Sequence, residues 1–280
     1  MPGYWILTPG QGGICKSVIL YEKTDGIGII TLNRPEKLNA MNSELIEGLH
    51  RCVRQAGEDP EVKVIVLRGA GKKAFTAGFD LKETMEHNIT DVVERRADTH
   101  NELDFFMYMW YLPKPIICAV QGYCIGGGIQ LAEVSDLVIA ADNATFGNPE
   151  ALLGYTTELP IYMYKLPLNK LTEWEFLAKY YSAEELREVG FVNEIVPYEQ
   201  LEERTMEVAR QVARIPSESM AIMKYTIRKC YDLRGLSNVV AFTAETYSLN
   251  RIRMQQNEAV SFTKDIEHEG LSAALKSRYN

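Results

Sequence analysis

Two short stretches hold residues whose types and spacing could do chemistry. "GYCIGGGIQL", Gly122 to Leu131, follows an apolar run and sets three consecutive glycines before a helix-forming segment. "KKAFTAGFDLKE", Lys72 to Glu83, also follows an apolar run and turns at Gly78 into a helix. A strand-to-helix turn of bare backbone presents oriented N–H groups at the positive end of a helix, and such groups hold an oxyanion without reorganising. Two such turns could supply two donors converging on one oxygen. The other use of such glycines is mechanical, letting a helix pack tightly on a sheet, and one stretch alone does not choose between the two. A phosphate loop is excluded, because G-x-x-x-x-G-K-[ST] needs a lysine that "GIQL" lacks. The spacing of Gly122 and Gly126 to Gly128 fits the dinucleotide pattern G-x-G-x-x-G poorly.

Turns of this kind need strands before them and helices after them. "SVILYEKTDGIGIITLN" reads as two strands joined at Asp25–Gly26. "SELIEGLHRCVRQAGED" has apolar residues at helical spacing, with Ser43 as the expected N-cap. "VKVIVLRG", "PIICAVQGY" and "DLVIAA" read as buried strands, separated by helical or polar segments. That alternation predicts a layered α/β core. From Leu201 onward the pattern is helical almost to the end.

Composition narrows the class. The 280 residues are 46% apolar and 24% charged, the ordinary globular range. A net charge of −8 gives nucleic-acid binding no electrostatic support. No apolar run approaches the ~18 residues of a membrane span, and "MPGYWILTPGQGG" reads as a loose leader rather than a signal peptide. The five cysteines (Cys15, Cys52, Cys118, Cys124 and Cys230) are scattered, with only four histidines, so neither a disulfide framework nor a metal site is expected. A reducing cytoplasm is the expected setting. Cys118 and Cys124 sit in apolar runs and read as small buried hydrophobes.

Taken together, "NRPEKLNAMN", "AFTAGFDLKE", "QGYCIGGGIQLAEVSDLVIAADNATFGNPEALLG", "SAEELREVGFVNEIVP" and "DIEHEGLSAALKSR" resemble the crotonase (enoyl-CoA hydratase/isomerase) superfamily, in family order from about Val18. The resemblance implies a spiral of repeated ββα units, a helical C-terminal region, and homotrimers or homohexamers. On that basis residues 1–17 are a leader, 18–205 an acyl-CoA-binding core and 206–280 a helical trimerisation region. The implied ligand is an acyl-CoA thioester, with coenzyme A as part of the substrate and no further cofactor. The two oxyanion N–H groups are implied at Phe79 and Gly127. Coenzyme A contacts are implied at Lys37, Leu38, Ala77, Asp80, Leu81 and Lys82, although Lys37 and Lys82 also read as ordinary surface lysines.

The catalytic carboxylates depart from the family pattern. Hydratases of the family use one carboxylate on the helix after the glycines and another twenty residues on, a base for the water and an acid for the α-carbon. The second is present as Glu150; the first position holds Gln130. An amide exchanges no proton near neutral pH, yet it can still hold a water or a substrate oxygen. Eight residues beyond Glu150 stands Glu158, where hydratases usually have glycine and where double-bond-shifting and dehalogenating members carry an acid. Glu158 is therefore expected to partner Glu150 across the substrate, unless it is an exposed helix-start glutamate. Glu133, one turn after Gln130, reads as structural or solvent-facing. Phe105, Phe106, Tyr108, Trp110 and Tyr111, with Tyr155, Tyr162 and Tyr164, either line a pocket for a flat acyl group or pack the core and subunit contacts.

This residue set fits double-bond isomerisation best. Hydration or dehydration of a conjugated or cyclic acyl-CoA comes next, and hydrolysis after that. A non-catalytic acyl-CoA-binding relative is the reading from a different class, and the acidic composition argues against an RNA-binding one.

Overall fold

Positive φ at both Asp25 (52°) and Gly26 (77°) makes the tight hairpin turn that the sequence predicts. It joins β1 (Ile19–Thr24) to β2 (Ile27–Leu32) in antiparallel pairing. The computed structural model describes residues 17–86, 89–256, 262–269, 273–274 and 277. The expected leader, Ser17 apart, lies outside them.

Beyond the hairpin the chain repeats one device. β3 (Val64–Gly69) is followed by β4 (Ala74–Thr76), β5 (Ile116–Val120) by β6 (Tyr123–Ile125), and β7 (Leu137–Ala141) by β8 (Thr145–Gly147). The first strand of each couple joins a six-stranded sheet, and the second joins a four-stranded one with β9 (Tyr180–Ser182). β10 (Glu194–Val196) closes the larger sheet, in the order β1-β2-β3-β5-β7-β10. From β2 onward every pairing in the larger sheet is parallel. Burial on both faces explains why its strands read as unbroken apolar runs rather than alternations. Helices α1 (Ser43–Glu58), α2 (Leu81–Glu86), α3 (Val92–Tyr111) and α4 (Gly127–Val134) fill the connections. The fold is the spiral of ββα units that the resemblance implied.

Two local expectations shift. The N-cap of α1 is Asn42, whose side chain accepts the Leu45 N–H at 3.2 Å. Ser43 is instead the first helical residue, and the Glu83 carboxylate takes both its N–H (2.7 Å) and its hydroxyl (3.0 Å). The aromatic run of α3 belongs to the core: Phe105, Phe106 and Trp110 are buried, while Tyr111 is exposed.

After α5 (Leu168–Leu177) and α6 (Ala183–Glu188), α7 (Leu201–Ala213) packs against β2, β3, β5 and β7. The expected boundary after residue 205 thus falls inside a helix that covers the large sheet. α8 (Ser217–Leu233) and α9 (Leu236–Gln256) follow, then α10 (Phe262–Glu269), and α9 lies along α3. No helix among the described residues is long and apolar enough to cross a membrane.

One acid fastens α8 to the sheet. Asp136 accepts the Ile116 N–H (2.8 Å), Lys224 Nζ (2.6 Å) and Arg228 Nη2 (2.6 Å), and both cations are buried. Asp136→Ala leaves them unpaired, and breaking a buried pair from one side costs about 3–5 kcal/mol. Urea unfolding should show that loss, and a change under 1 kcal/mol would mean that α8 is held by apolar packing instead.

Candidate active site

The three short parallel strands of the smaller sheet end level with one another. Thr76 of β4 pairs with Cys124 of β6, and Cys124 with Phe146 of β8. Phe79 and Gly127 each lie three residues beyond that row, and Glu150 lies four beyond it. Adjacent strands are about 4.8 Å apart, so three consecutive strand ends deliver these residues to one edge. Side chains lock the first of them. Thr76 Oγ1 donates to the Asn39 carbonyl (2.7 Å) and accepts the Gly78 N–H (3.1 Å). Asn39 in turn donates to the carbonyls of Ala70 and Ala74, both at 2.9 Å.

Glycine is required at both turns. Gly78 has φ +87°, and a Cβ there would sit 2.8 Å from the Ile125 carbonyl oxygen and 3.2 Å from the Gly127 nitrogen. Gly126, the N-cap of α4, has φ 52° and ψ −115°, and a Cβ on it would lie 1.8 Å from Glu150 Oε1. The glycines therefore serve both readings weighed for them: close packing, and backbone exposed to a cleft. The N–H groups of Phe79 and Gly127 have no hydrogen-bond acceptor among the described residues. Both residues line the same cleft.

The cleft also gathers Gln130, Glu133, Glu150 and Glu158. Glu150 belongs to a 3-10 turn, Pro149–Leu153, that starts directly after β8. Burial pushes its carboxyl up to about 7, opposed by its own main-chain N–H and reinforced by the negative Glu175. Glu158 is 4% exposed, which removes the exposed-glutamate alternative. Burial, followed by the charge of Glu102, raises it well above the carboxylate range against the pull of Gln130 and Arg251. Gln130 Nε2 donates to Glu158 Oε2 at 3.2 Å, which leaves the amide oxygen free. Of the two readings given for Glu133, structural or solvent-facing, it takes the structural one: it is wholly buried, and its Oε2 accepts the Tyr162 N–H at 2.5 Å. Four buried oxygens on this cleft have no partner among the described residues: Gln130 Oε1, Glu133 Oε1, Glu150 Oε2 and Glu158 Oε1. Each costs about 1–3 kcal/mol while unpaired, which marks a cavity built to be filled by hydrogen-bonding atoms.

Similarity to known proteins agrees with this geometry. The family model described as enoyl-CoA hydratase/isomerase matches residues 22–262. A short-chain-enoyl-CoA hydratase of Clostridium acetobutylicum is 30% identical over 235 residues, covering 82% of this chain and 87% of that one. The crystal structure of an enoyl-CoA hydratase/isomerase from Xanthobacter autotrophicus Py2 superposes with a TM-score of 0.88 at 30% identity, covering 94% of this chain and 97% of its own. A probable enoyl-CoA hydratase from Mycobacterium smegmatis gives 0.78 at 34% identity, over 83% and 93% of the two chains. The chain belongs to the enoyl-CoA hydratase/isomerase family. It is an acyl-CoA enzyme.

As a member of this family the chain has further residues to place. Leu38 sits in the left-handed region (φ 53°), and its carbonyl accepts the Ala77 N–H at 3.0 Å, tying the two implied coenzyme A segments together. Asp80 is engaged within the protein, paired with Arg34 at 3.2 Å. Lys82 is exposed, 3.8 Å from Glu86, and Lys37 is exposed as well. A second cavity, of about 260 Å³, is lined by Pro35, Leu38, Gly71, Lys72 and Lys73 among others. Its two lysines had no motif to mark them. Tyr155, Thr157, Tyr162 and Tyr247 also line the cleft of Phe79, Gly127 and Glu150, whereas the α3 aromatics and Tyr164 do not. Tyr247 comes from α9, so the helical region contributes directly to this cleft.

The contact between Gly126 and Glu150 yields a test. Gly126→Ala must push the carboxylate aside by more than an ångström, and such a misplacement costs about 10²-fold in rate. We expect kcat to fall by at least that much with near-native near-UV circular dichroism. Unchanged kcat would remove Glu150 from the reaction.

Proposed function

We propose that this enzyme stabilises a thioester enolate and moves a proton between two carbons of an enoyl- or dienoyl-CoA, acting as a double-bond isomerase. The observation that carries this reading is the pair Glu150 and Glu158. Both line one cleft, Glu150 pushed up to about 7 and Glu158 raised well above the ordinary carboxylate value by burial and the charge of Glu102. Carboxyls set in different environments divide into a base and an acid.

In this reading the thioester carbonyl lies between the Phe79 and Gly127 N–H groups. Each hydrogen bond to the developing oxyanion contributes roughly 3 kcal/mol in the transition state. Glu150, ionised above about pH 7, takes the proton from the carbon next to the carbonyl. The electron pair spreads onto the held oxygen and along the conjugated chain. Glu158, whose burial favours the neutral acid, then returns a proton further along, and solvent exchange resets both carboxyls. Gln130 holds Glu158 in place through its amide N–H.

Hydration or dehydration is the second reading, favoured by the free amide oxygen of Gln130, which can hold a water, and by relatives named as enoyl-CoA hydratases. Coenzyme A is part of the substrate, and no other cofactor is assigned. Its contacts are Lys37, Leu38, Ala77, Leu81 and Lys82, with Asp80 shaping the turn through Arg34. Lys72 and Lys73 extend that binding surface toward the nucleotide phosphates. The exposed apolar side chains Ile222, Tyr225, Ile227 and Phe242 on α8 and α9 support a homotrimer or homohexamer. The cytoplasm is the proposed setting.

Mass spectrometry of 2-enoyl, 3-enoyl, dienoyl and cyclic enoyl thioesters incubated with the protein in heavy water tests the reading. A shifted double bond with deuterium uptake is expected, whereas a product one water heavier would make the enzyme a hydratase. No change across the panel would favour a binder. On the substrate that reacts, Glu150→Gln and Glu158→Gln should each lower kcat by about 10²–10⁴-fold. The log of kcat/KM should rise with pH up to about 7, as Glu150 becomes ionised, and level off above it. A profile flat from pH 5 to 8 would exclude Glu150 as the base.

A further inference from the structure

The isomerisation just described uses Glu150 and Glu158, and the hydration reading gives Gln130 Oε1 a water to hold; neither gives the fourth unpartnered oxygen on the cleft a role. That oxygen is Glu133 Oε1. Glu133 is fully buried and lines the cleft, with the Tyr162 N–H bonded to its Oε2 and the adjoining Ile161 N–H also acting on the carboxyl, while Oε1 has no full hydrogen bond among the described residues. Gly127, Gln130 and Glu133 lie at i, i+3 and i+6 on α4, so they form one stripe running away from the oxyanion end. Six residues at 1.5 Å of rise put Glu133 about 9 Å along the helix from Gly127, which is the far half of a short acyl group. The surroundings there are polar: the Tyr162 hydroxyl meets Thr157 Oγ1 at 2.9 Å and hydrogen-bonds Glu175, and Asn148 Nδ2 reaches it at 3.4 Å.

Glu133 Oε1 is already closed off from solvent, and an alkyl chain laid along this stripe would leave it with nothing to bond. We propose that the acyl group of the true substrate carries a hydroxyl on its far half, and that Glu133 Oε1 holds it. A hydroxyl donates to an ionised carboxylate and accepts from a protonated carboxyl, so it fits either state of Glu133. A carbonyl would serve only the protonated state and an ammonium only the ionised one, and a carboxylate would bring like charge into a cleft already lined with acids. The inference rests on the acyl-CoA reading of this cleft but on neither choice of reaction.

Binding of saturated thioesters tests it without turnover. Calorimetry would compare hexanoyl-CoA, 3-hydroxyhexanoyl-CoA and 6-hydroxyhexanoyl-CoA on the full-length protein. The expected result is at least tenfold tighter binding of the 6-hydroxy compound than of hexanoyl-CoA, with a smaller gain for the 3-hydroxy one. Equal affinities would overturn the proposal, assigning the oxygen to a retained water, and would leave the acyl-CoA reading intact. Binding of none of the three would sink both. Glu133→Leu, if it folds, should lose the preference for the 6-hydroxy compound, and its retention would remove Glu133 from the role. If that variant does not fold, the three-ligand comparison on the unaltered protein still decides.

Discussion

The cleft depends on the register of three strands, each three residues long. Thr76, Cys124 and Phe146 stand in one row across β4, β6 and β8, and all three are fully buried. A slip of one residue in any of them would move Phe79, Gly127 or Glu150 by about 3.3 Å, more than a hydrogen bond can stretch. Strands so short have little pairing energy of their own. Their register is fixed from outside, by the Thr76–Asn39 clamp on one side and by the contact of Gly78 with Gly127 across the sheet. The long strands of the larger sheet set the spacing of the ββα units, and the short ones convert that spacing into a site.

A second constraint is electrostatic. Glu133, Glu150 and Glu158 share one cleft, and burial is the first cause of the upward shift at each of them. The cations nearby are held elsewhere. Lys165 Nζ binds the Glu133 carbonyl at 2.7 Å, and Arg251 donates to the Tyr247 hydroxyl at 3.0 Å and lies over the Tyr155 ring. The carboxyls are thus desolvated without being ion-paired, the arrangement that favours the neutral acid. An ion-paired version would be more comfortable for the fold but would fix each group as a carboxylate, unable to give up a proton at neutral pH.

Much of this was legible in the chain, for local reasons. Asp25–Gly26 announces a hairpin because few other residues accept its dihedrals, and the apolar runs of β3, β5 and β7 announce buried strands. Gly78 and Gly126 stand where positive φ and missing side chains are both required. What stayed hidden depended on distance in sequence or on a one-residue choice. Asn42 and Ser43 are both capping types, and only the turn geometry decides between them. Tyr247 lies in a long helix with nothing local to mark it, and it reaches the cleft because α9 lies along α3. Glu133 had a readable sign that was easy to misjudge. α4 is apolar nearly all round, from Ile129 through Leu131, Ala132 and Val134, and a helix buried on every side has no solvent face for a glutamate.

Gln130 takes its meaning from these constraints. A carboxylate at that position would be a fourth acid on the cleft, next to Glu158, and like charges so close cannot all ionise. The amide removes that repulsion and supplies a donor, and its N–H to Glu158 Oε2 orients the carboxyl that replaces the missing acid. In the proposed reaction Glu158 carries the proton and Gln130 is its support. That places the acid near Tyr247 and Arg251, the part of the cleft formed by the helical region. Glu150 stays against Gly126 while Glu158 sits beside Gln130, so the proposed reaction has two distinct carboxyls with different supports, one to take a proton and one to return it.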